Sequence, residues 1–231
     1  MSDQTAILIF TRTAAEESAQ KHFTTGHKPK TNSLIASSLI KHTVQTVKRT
    51  GIPYFTIYSD HQNGNTFGER LGNALQEVFD AGFEHIIAIG NDCPTLRSEH
   101  LIGVRDQLNA SDFVLGPAAD GGVYLIGVSR KSFQLKEFAE LEWQSKQLLS
   151  SMIVWLEKKG IPFFTLQSQS DIDTNDDLFH FVLNKSAHLS VAAYIKNLIL
   201  QLSLIFLDCK SVLHLSSYFK KNSFRSPPVS I

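Results

Sequence analysis

Cysteine is almost missing from this chain: there are two in 231 residues, Cys93 and Cys209, far apart. With no CxxC and no Cys/His ligand spacing, neither a disulfide framework nor a structural zinc site is expected. No sign of charge prevails, with 22 Lys and Arg against 22 Asp and Glu. That balance lacks the electrostatic footprint of a partner for nucleic acid or an anionic membrane. No apolar run approaches the ~20 residues of a transmembrane span. The glycine signatures G-x-G-x-x-G, G-x-x-x-x-G-K-[ST] and G-x-S-x-G are absent. A dinucleotide Rossmann site, a P-loop and a hydrolase elbow are therefore unsupported. The first residues, Met1-Ser2-Asp3-Gln4-Thr5, have neither the basic start nor the apolar core of a signal peptide, so cytoplasm is the expected location. What is present is ordinary for a globular protein with a sizeable core: 42% hydrophobic and 19% charged residues.

Short apolar runs alternate with helical patterns through residue 184, which predicts an α/β domain with a mostly parallel sheet. Residues 6–10 read as a first strand, followed by Thr11-Arg12-Thr13. Polar residues there can form the bed for a nucleotide, and Arg12 could reach a phosphate or simply be a solvated loop arginine. Residues 14–33, with Lys21, His22, His27, Lys28 and Lys30, read as a polar loop with some helix, its cations either closing over phosphates or solvated. Helical spacing resumes over 33–49, a strand over 54–58, and a helix from Phe67-Gly68-Glu69-Arg70 to about Ala81. That helix start could offer N–H groups to an anion, and Arg70 could contact a ligand; an exposed Glu69/Arg70 pair is the plainer account. Further helices are expected over 98–108 and 144–159, the second closed by Gly160, and a strand over 161–166.

Residues 85–128 organise the rest. The run 86–89 is a strand buried on both faces, and it stops at Gly90-Asn91-Asp92 before Pro94 forbids further pairing. Asp92 is therefore expected at the carboxyl edge of a central strand, where ligands bind in open α/β sheets. It reads either as a turn-forming side chain or as a divalent-metal ligand. Asp120-Gly121-Gly122 interrupts two strand-like runs. It reads either as a hairpin turn or as a segment whose glycines let backbone approach a ligand. A second acidic cluster runs from Asp171 to Asp177. Thr174 and Asp177 have capping-box spacing, and Asp173 is the member best placed for a second metal contact. An EF-hand does not fit, because Asp176 and Val182 stand where glycine and glutamate are required.

From Ser190 a long helix is expected, with Val191, Ile195, Leu198, Leu202, Ile205 and Cys209 on one face. Its apolar face suits packing on the domain or on a second copy better than a membrane surface, so a homodimer through this helix is one expectation. The expected division is thus residues 1–185 and a helical extension over 186–231.

Residues 89–96, 115–127 and 171–174 together resemble the three landmarks of a bacterial GT-A-type glycosyltransferase-like, or nucleotide-diphospho-sugar transferase-like, family of uncharacterised proteins. Phe67-Gly68-Glu69-Arg70-Leu71 and Trp143 also fit its pattern, and the resemblance spans about residues 5–184. It implies a three-layer α/β/α GT-A-like fold and Mg²⁺ or Mn²⁺ holding a nucleotide diphosphate. By the same resemblance, Asp92 and Asp173 would contact the metal. Asp120, Gly121 and Gly122 would line the donor or acceptor pocket. By their positions alone, Thr11, Arg12 and Arg70 are further candidates for substrate contact, and Asp120 could orient an acceptor hydroxyl or act as its general base. The chain departs from the family at Lys28-Pro29-Lys30-Thr31-Asn32, where Asn32 replaces an arginine of many relatives. Three functions are in play: a glycosyl transferase using a nucleotide-sugar, a nucleotidyltransferase acting on a nucleoside triphosphate, and a non-catalytic binding module on the same fold.

Overall fold

The structure is a computed structural model that describes residues 4–21, 23–24, 29–183 and 190–200. Six strands form one sheet, in the order β2-β1-β3-β5-β4-β6. They are β1 (Thr5–Thr11), β2 (Tyr54–Tyr58), β3 (His85–Ile89), β4 (Phe113–Pro117), β5 (Val123–Ser129) and β6 (Phe163–Thr165). β1 pairs in parallel with β2 and β3, and β4 with β6. β5 pairs antiparallel with both β3 and β4. The sheet is thus mixed but mostly parallel, with β5 alone reversed. The Asp120-Gly121-Gly122 turn makes this reversal, since a strand leaving β4 through so short a loop must run back antiparallel.

Alternation within β1 divides the core. Ala6, Leu8 and Phe10 join Ile86, Ala88, Phe113 and Ile126 on one face. Ile7 and Ile9 join Ile87, Ile89, Val114 and Leu125 on the other. The first face is covered by α3 (Phe67–Asp80), α5 (Leu135–Ala139) and α6 (Leu148–Lys159), through Leu75, Phe79, Phe138, Met152 and Leu156. The second is covered by α2 (Pro29–Lys48) and α4 (Ser98–Gln107), through Val47, Leu101 and Val104. This is the expected three-layer α/β/α arrangement. Burial on both sides accounts for the uninterrupted apolar runs of the central strands.

Several boundaries differ from the sequence expectation. The polar stretch after β1 contains α1 (Ala14–Gln20), N-capped by the Thr13 hydroxyl, which accepts from the Glu16 N–H at 3.3 Å. α2 begins at Pro29 rather than 33 because proline suits a first helical turn, where its missing N–H costs nothing. Asn32 is buried within α2, its Oδ1 accepting from the Thr24 hydroxyl at 2.7 Å. α6 begins at Leu148 and closes at Gly160, which adopts the left-handed conformation expected of it. α7 (Asn175–Leu183) carries the Thr174/Asp177 capping interaction foreseen for it.

The chain separates into two compact units, Met1–Phe181 and Val182–Ile231. In the second, residues 190–200 are helical, with Val191 and Ile195 buried as their spacing predicts. The expected helical positions from 201 onward lie outside the described residues. Among the described residues, no helix is long and apolar enough to cross a membrane.

Candidate active site

Because β1, β3, β4 and β6 share one direction, their carboxyl ends lie along one edge of the sheet. The reversed β5 brings its amino end to the same edge. A cleft of about 800 Å³ opens there, lined by Thr11, Arg12, Lys21, Arg70, Asn91, Asp92, Asp120, Gly122, Trp143, Asp171 and Asp173 among others. The segments that carry its carboxylates are tied together by backbone. Ile172 donates its N–H to the Asp92 carbonyl at 2.8 Å, and Ala119 donates to the Gln169 carbonyl at 3.0 Å.

Asp120, Asp171 and Asp173 each turn a carboxylate oxygen toward a common point, all three within 4.8 Å of one another. Asp120 and Asp173 are exposed and Asp171 is partly buried. Asp171 is the one member not singled out in the sequence. Burial, and then the neighbouring carboxylates of Asp173, Asp92 and Asp120, push its carboxyl up to about 6, against the lowering effect of a backbone hydrogen bond. Like charges held this close resist joint ionisation, and a cation would relieve them. Three hard oxygen donors, open to solvent on one side, suit Mg²⁺ or Mn²⁺, which keep positions for water and substrate oxygens. The residues fit such an ion.

Asp92 and Asp173, the pair expected to hold the metal, are joined by the Lys21 ammonium at 3.2 and 2.8 Å, and Asp173 also belongs to the carboxylate group. Lys21 also meets Glu17 at 3.1 Å. Burial alone would pull the ammonium down, but the carboxylates of Asp92, Glu17 and Asp173 override it and hold it above the ordinary lysine range. The sequence showed Lys21 only as one cation among several in a polar stretch. Its position follows from α1, which turns the chain back toward the end of β3.

The other expected residues fall as follows. Thr11 is buried, and its hydroxyl donates to Asn91 Oδ1 at 2.8 Å. The Asn91 side-chain nitrogen is buried without a hydrogen-bond partner, an orphaned donor at the cleft floor. Arg12 lines the cleft and forms an ion pair with buried Glu17 at 3.1 Å. Arg70 lines the cleft with one long contact, to the Asn65 carbonyl at 3.5 Å. At the start of α3 a capping box takes up the Thr66 and Glu69 N–H groups, and Glu69 turns to this backbone rather than to Arg70. Glu69 accepts from the Asn65 and Thr66 N–H groups at 2.7 and 3.2 Å, and the Thr66 hydroxyl accepts from Glu69 at 3.1 Å.

Gly122 donates its N–H to Asp120 Oδ1 at 2.9 Å, which fixes the Asp120 side chain. Gly121 has φ +96°, and a Cβ there would sit 2.2 Å from the Lys146 carbonyl. Trp143 donates to the Phe138 carbonyl at 2.8 Å and packs against Phe67 and Phe138, giving the cleft a rigid aromatic wall. Burial disfavours the Cys93 thiolate, pushing the thiol up to about 11 despite a hydrogen bond with Thr95.

The fold is of the nucleotide-diphospho-sugar transferase-like, GT-A-like α/β class. Residues 41–145 match the family model described as "Uncharacterized protein conserved in bacteria (DUF2064)", which bears out the bacterial family resemblance read from the motifs. The matched stretch includes Asp92, Asp120 and Trp143; Lys21 and the 171–173 motif lie outside it. The solved structure of a candidate nucleotide-diphospho-sugar transferase from Desulfovibrio desulfuricans G20 is 21% identical, with a TM-score of 0.75 over 86% of this chain and 98% of that one. At that identity the likeness shows the fold alone. Rv0371c from Mycobacterium tuberculosis H37Rv is 16% identical with a TM-score of 0.46, over 78% and 97% of the two chains. Its manganese complex is 15% identical at 0.45, over 77% and 97%. Likenesses that distant bear on nothing further. No curated protein matches the chain significantly.

Proposed function

We propose that the chain is a metal-dependent transferase that takes a nucleotide-sugar as donor, with Asp120, Asp171 and Asp173 holding Mg²⁺ or Mn²⁺ in the cleft. The observation that carries this reading is the convergence of those three carboxylates, one with its pKa raised, on the ligand-binding edge of the sheet. The charge of the lining supports it. Six carboxylates (Glu16, Glu17, Asp92, Asp120, Asp171, Asp173) face four cationic side chains (Arg12, Lys21, Arg70, Lys146), an excess of two negative charges. A diphosphate would be repelled by that surface without an added cation. When bound, the ion supplies charge neutralisation to a departing diphosphate.

The chain's own residues bind and orient. Arg70, weakly engaged within the protein, is available to a phosphate or sugar oxygen. The Asn91 side-chain nitrogen adds a donor at the floor, and the Phe67/Trp143 wall offers an apolar face to a sugar or base. Asp120 serves the metal in this reading and is not required as a base.

The test is a thermal-shift screen of nucleotide-sugars and nucleoside mono-, di- and triphosphates, each with and without Mn²⁺. A Mn²⁺-dependent shift with nucleotide-sugars that disappears in Asp171→Asn is the expected result. Turnover that releases pyrophosphate from a triphosphate would instead identify a nucleotidyltransferase. A cooperative melt that no nucleotide shifts would overturn the reading in favour of a binding module.

A further inference from the structure

Four oxygens from three separate segments converge on one atom. Lys21 Nζ lies 2.8 Å from Asp173 Oδ1, 3.1 Å from Glu17 Oε1 and 3.2 Å from Asp92 Oδ2, and donates to the Ile172 carbonyl at 3.1 Å. An ammonium has three protons and cannot serve four acceptors with linear hydrogen bonds. The arrangement is a shell of hard oxygens around a cation rather than one ion pair. The Lys21 side chain is 10% exposed and that of Glu17 only 2%, so this is no solvated surface cluster. Asp92 and Asp173 are 33% and 49% exposed and border the cleft. Stability alone does not call for such a group, because a buried ion pair seldom outperforms apolar side chains of similar volume.

Asp173 belongs both to this shell and to the Asp120–Asp171–Asp173 group. The cleft edge therefore has two adjacent cation positions, one of them filled by the chain itself. We propose that the Lys21 ammonium is a tethered cation occupying a second divalent-ion position, formed by Glu17, Asp92, Asp173 and the Ile172 carbonyl. Lys21 acts as a positioning residue: it holds Asp92 and Asp173 in place and keeps a permanent positive charge beside the substrate's path. It also excludes a divalent ion from that position. The inference deepens the proposed function and shares its cleft, but it predicts a difference in ion count that does not depend on turnover.

Bound Mn²⁺ is counted by electron paramagnetic resonance on the full chain, in wild type, K21M, K21R and K21M/D92N. K21M is expected to bind one Mn²⁺ more than wild type; K21R is expected to match wild type, and K21M/D92N to lose the added ion. K21M/E17Q, which removes the ammonium together with one of its carboxylates, is titrated alongside, with folding of every variant checked by circular dichroism. It keeps the test decisive if K21M alone does not fold. Equal counts in wild type and K21M, or in wild type and K21M/E17Q where K21M does not fold, would overturn the proposal, as would an added ion that survives in K21M/D92N. If wild type binds none and K21M binds one, the tethered cation stands and the Asp120–Asp171–Asp173 metal falls. If both bind one, the reverse holds.

Discussion

The Ile172 N–H donates to the Asp92 carbonyl at 2.8 Å, so two acidic motifs 80 residues apart in sequence are joined by one backbone hydrogen bond. Neither side chain makes this link, and substitution of Asp92 leaves it intact. Asp171 and Asp173 flank the donor on either side. The bond therefore holds both beside the end of β3, where the parallel sheet already directs ligands. Lys21 closes the same junction from α1, through the Ile172 carbonyl at 3.1 Å. The acidic edge is built by backbone first and tuned by charge second.

Asp171 gives that edge a pH signature. Its carboxyl is pushed up to about 6 in the folded chain, above its unfolded value. A raised folded pKa means the contribution to stability is fully present below the unfolded pKa and is lost as pH rises through about 6. The ionised carboxylate is thus unfavourable at pH 8. Asp171→Asn should stabilise the metal-free protein there by about 1 kcal/mol, after discounting a partly solvated group, and change little near pH 4. Urea unfolding across pH 4–8 measures it. A variant equally destabilised at every pH would contradict the assignment.

Metal should act on the same group in the opposite sense. Unfolding in EDTA should remain cooperative, because both faces of the sheet are held by apolar cores and the carboxylates lie at its edge. Mn²⁺ at about a hundred times its dissociation constant should add ~2.7 kcal/mol. For a domain of this size that corresponds to a rise of roughly 5–10 °C in Tm. The rise should shrink below pH 6, where Asp171 holds its proton against the ion, and vanish in Asp171→Asn. Isothermal calorimetry in two buffers of different ionisation enthalpy would detect the released proton. A Mn²⁺ effect independent of pH would place the ion elsewhere.

How far the sequence reached depends on the range of the interaction. The runs 6–10 and 86–89 announced central strands because burial on both faces leaves no polar alternation. Asp92, Asp120 and Asp173 were legible because each follows or interrupts a strand, so topology alone carries them to one edge. Lys21 was not, since its role depends on where the end of α1 carries it, which no local pattern dictates. Asp171 was less legible than Asp173, because half-burial and mutual repulsion are properties of packing. Thr66-x-x-Glu69, by contrast, is a capping-box spacing that was available to inspection. It places the first helical residue at Phe67 and turns the Glu69 carboxylate to the backbone.

That capping box has its own test. The Thr66 hydroxyl and the Glu69 carboxylate satisfy N–H groups that would otherwise be free at the start of α3. Thr66→Ala should cost about 1 kcal/mol in urea unfolding. It should also leave Mn²⁺ binding unchanged, because neither residue is among the groups that converge on Asp171. A loss of metal affinity in Thr66→Ala would mean that α3 positions the acidic edge after all.

Gly121 is where fold and proposed function meet at a single atom. At φ +96° it makes the turn after β4, and a Cβ would be 2.2 Å from the Lys146 carbonyl, which is backbone and has little room to retreat. Gly160 is also left-handed, at φ +64°, but nothing lies within 4 Å of its Cβ position. Gly160→Ala should therefore show the conformational penalty alone, about 1 kcal/mol. Gly121→Ala adds the clash, and should destabilise by roughly 2–3 kcal/mol. Relief of the clash must move the turn that holds Asp120 through the Gly122 N–H, at 2.9 Å. Mn²⁺ affinity should consequently fall in Gly121→Ala and stay at the wild-type level in Gly160→Ala, as read by paired urea unfolding and Mn²⁺ titration. Equal Mn²⁺ affinity in the two variants would remove Asp120 from the metal group and leave Asp171 and Asp173 to carry it.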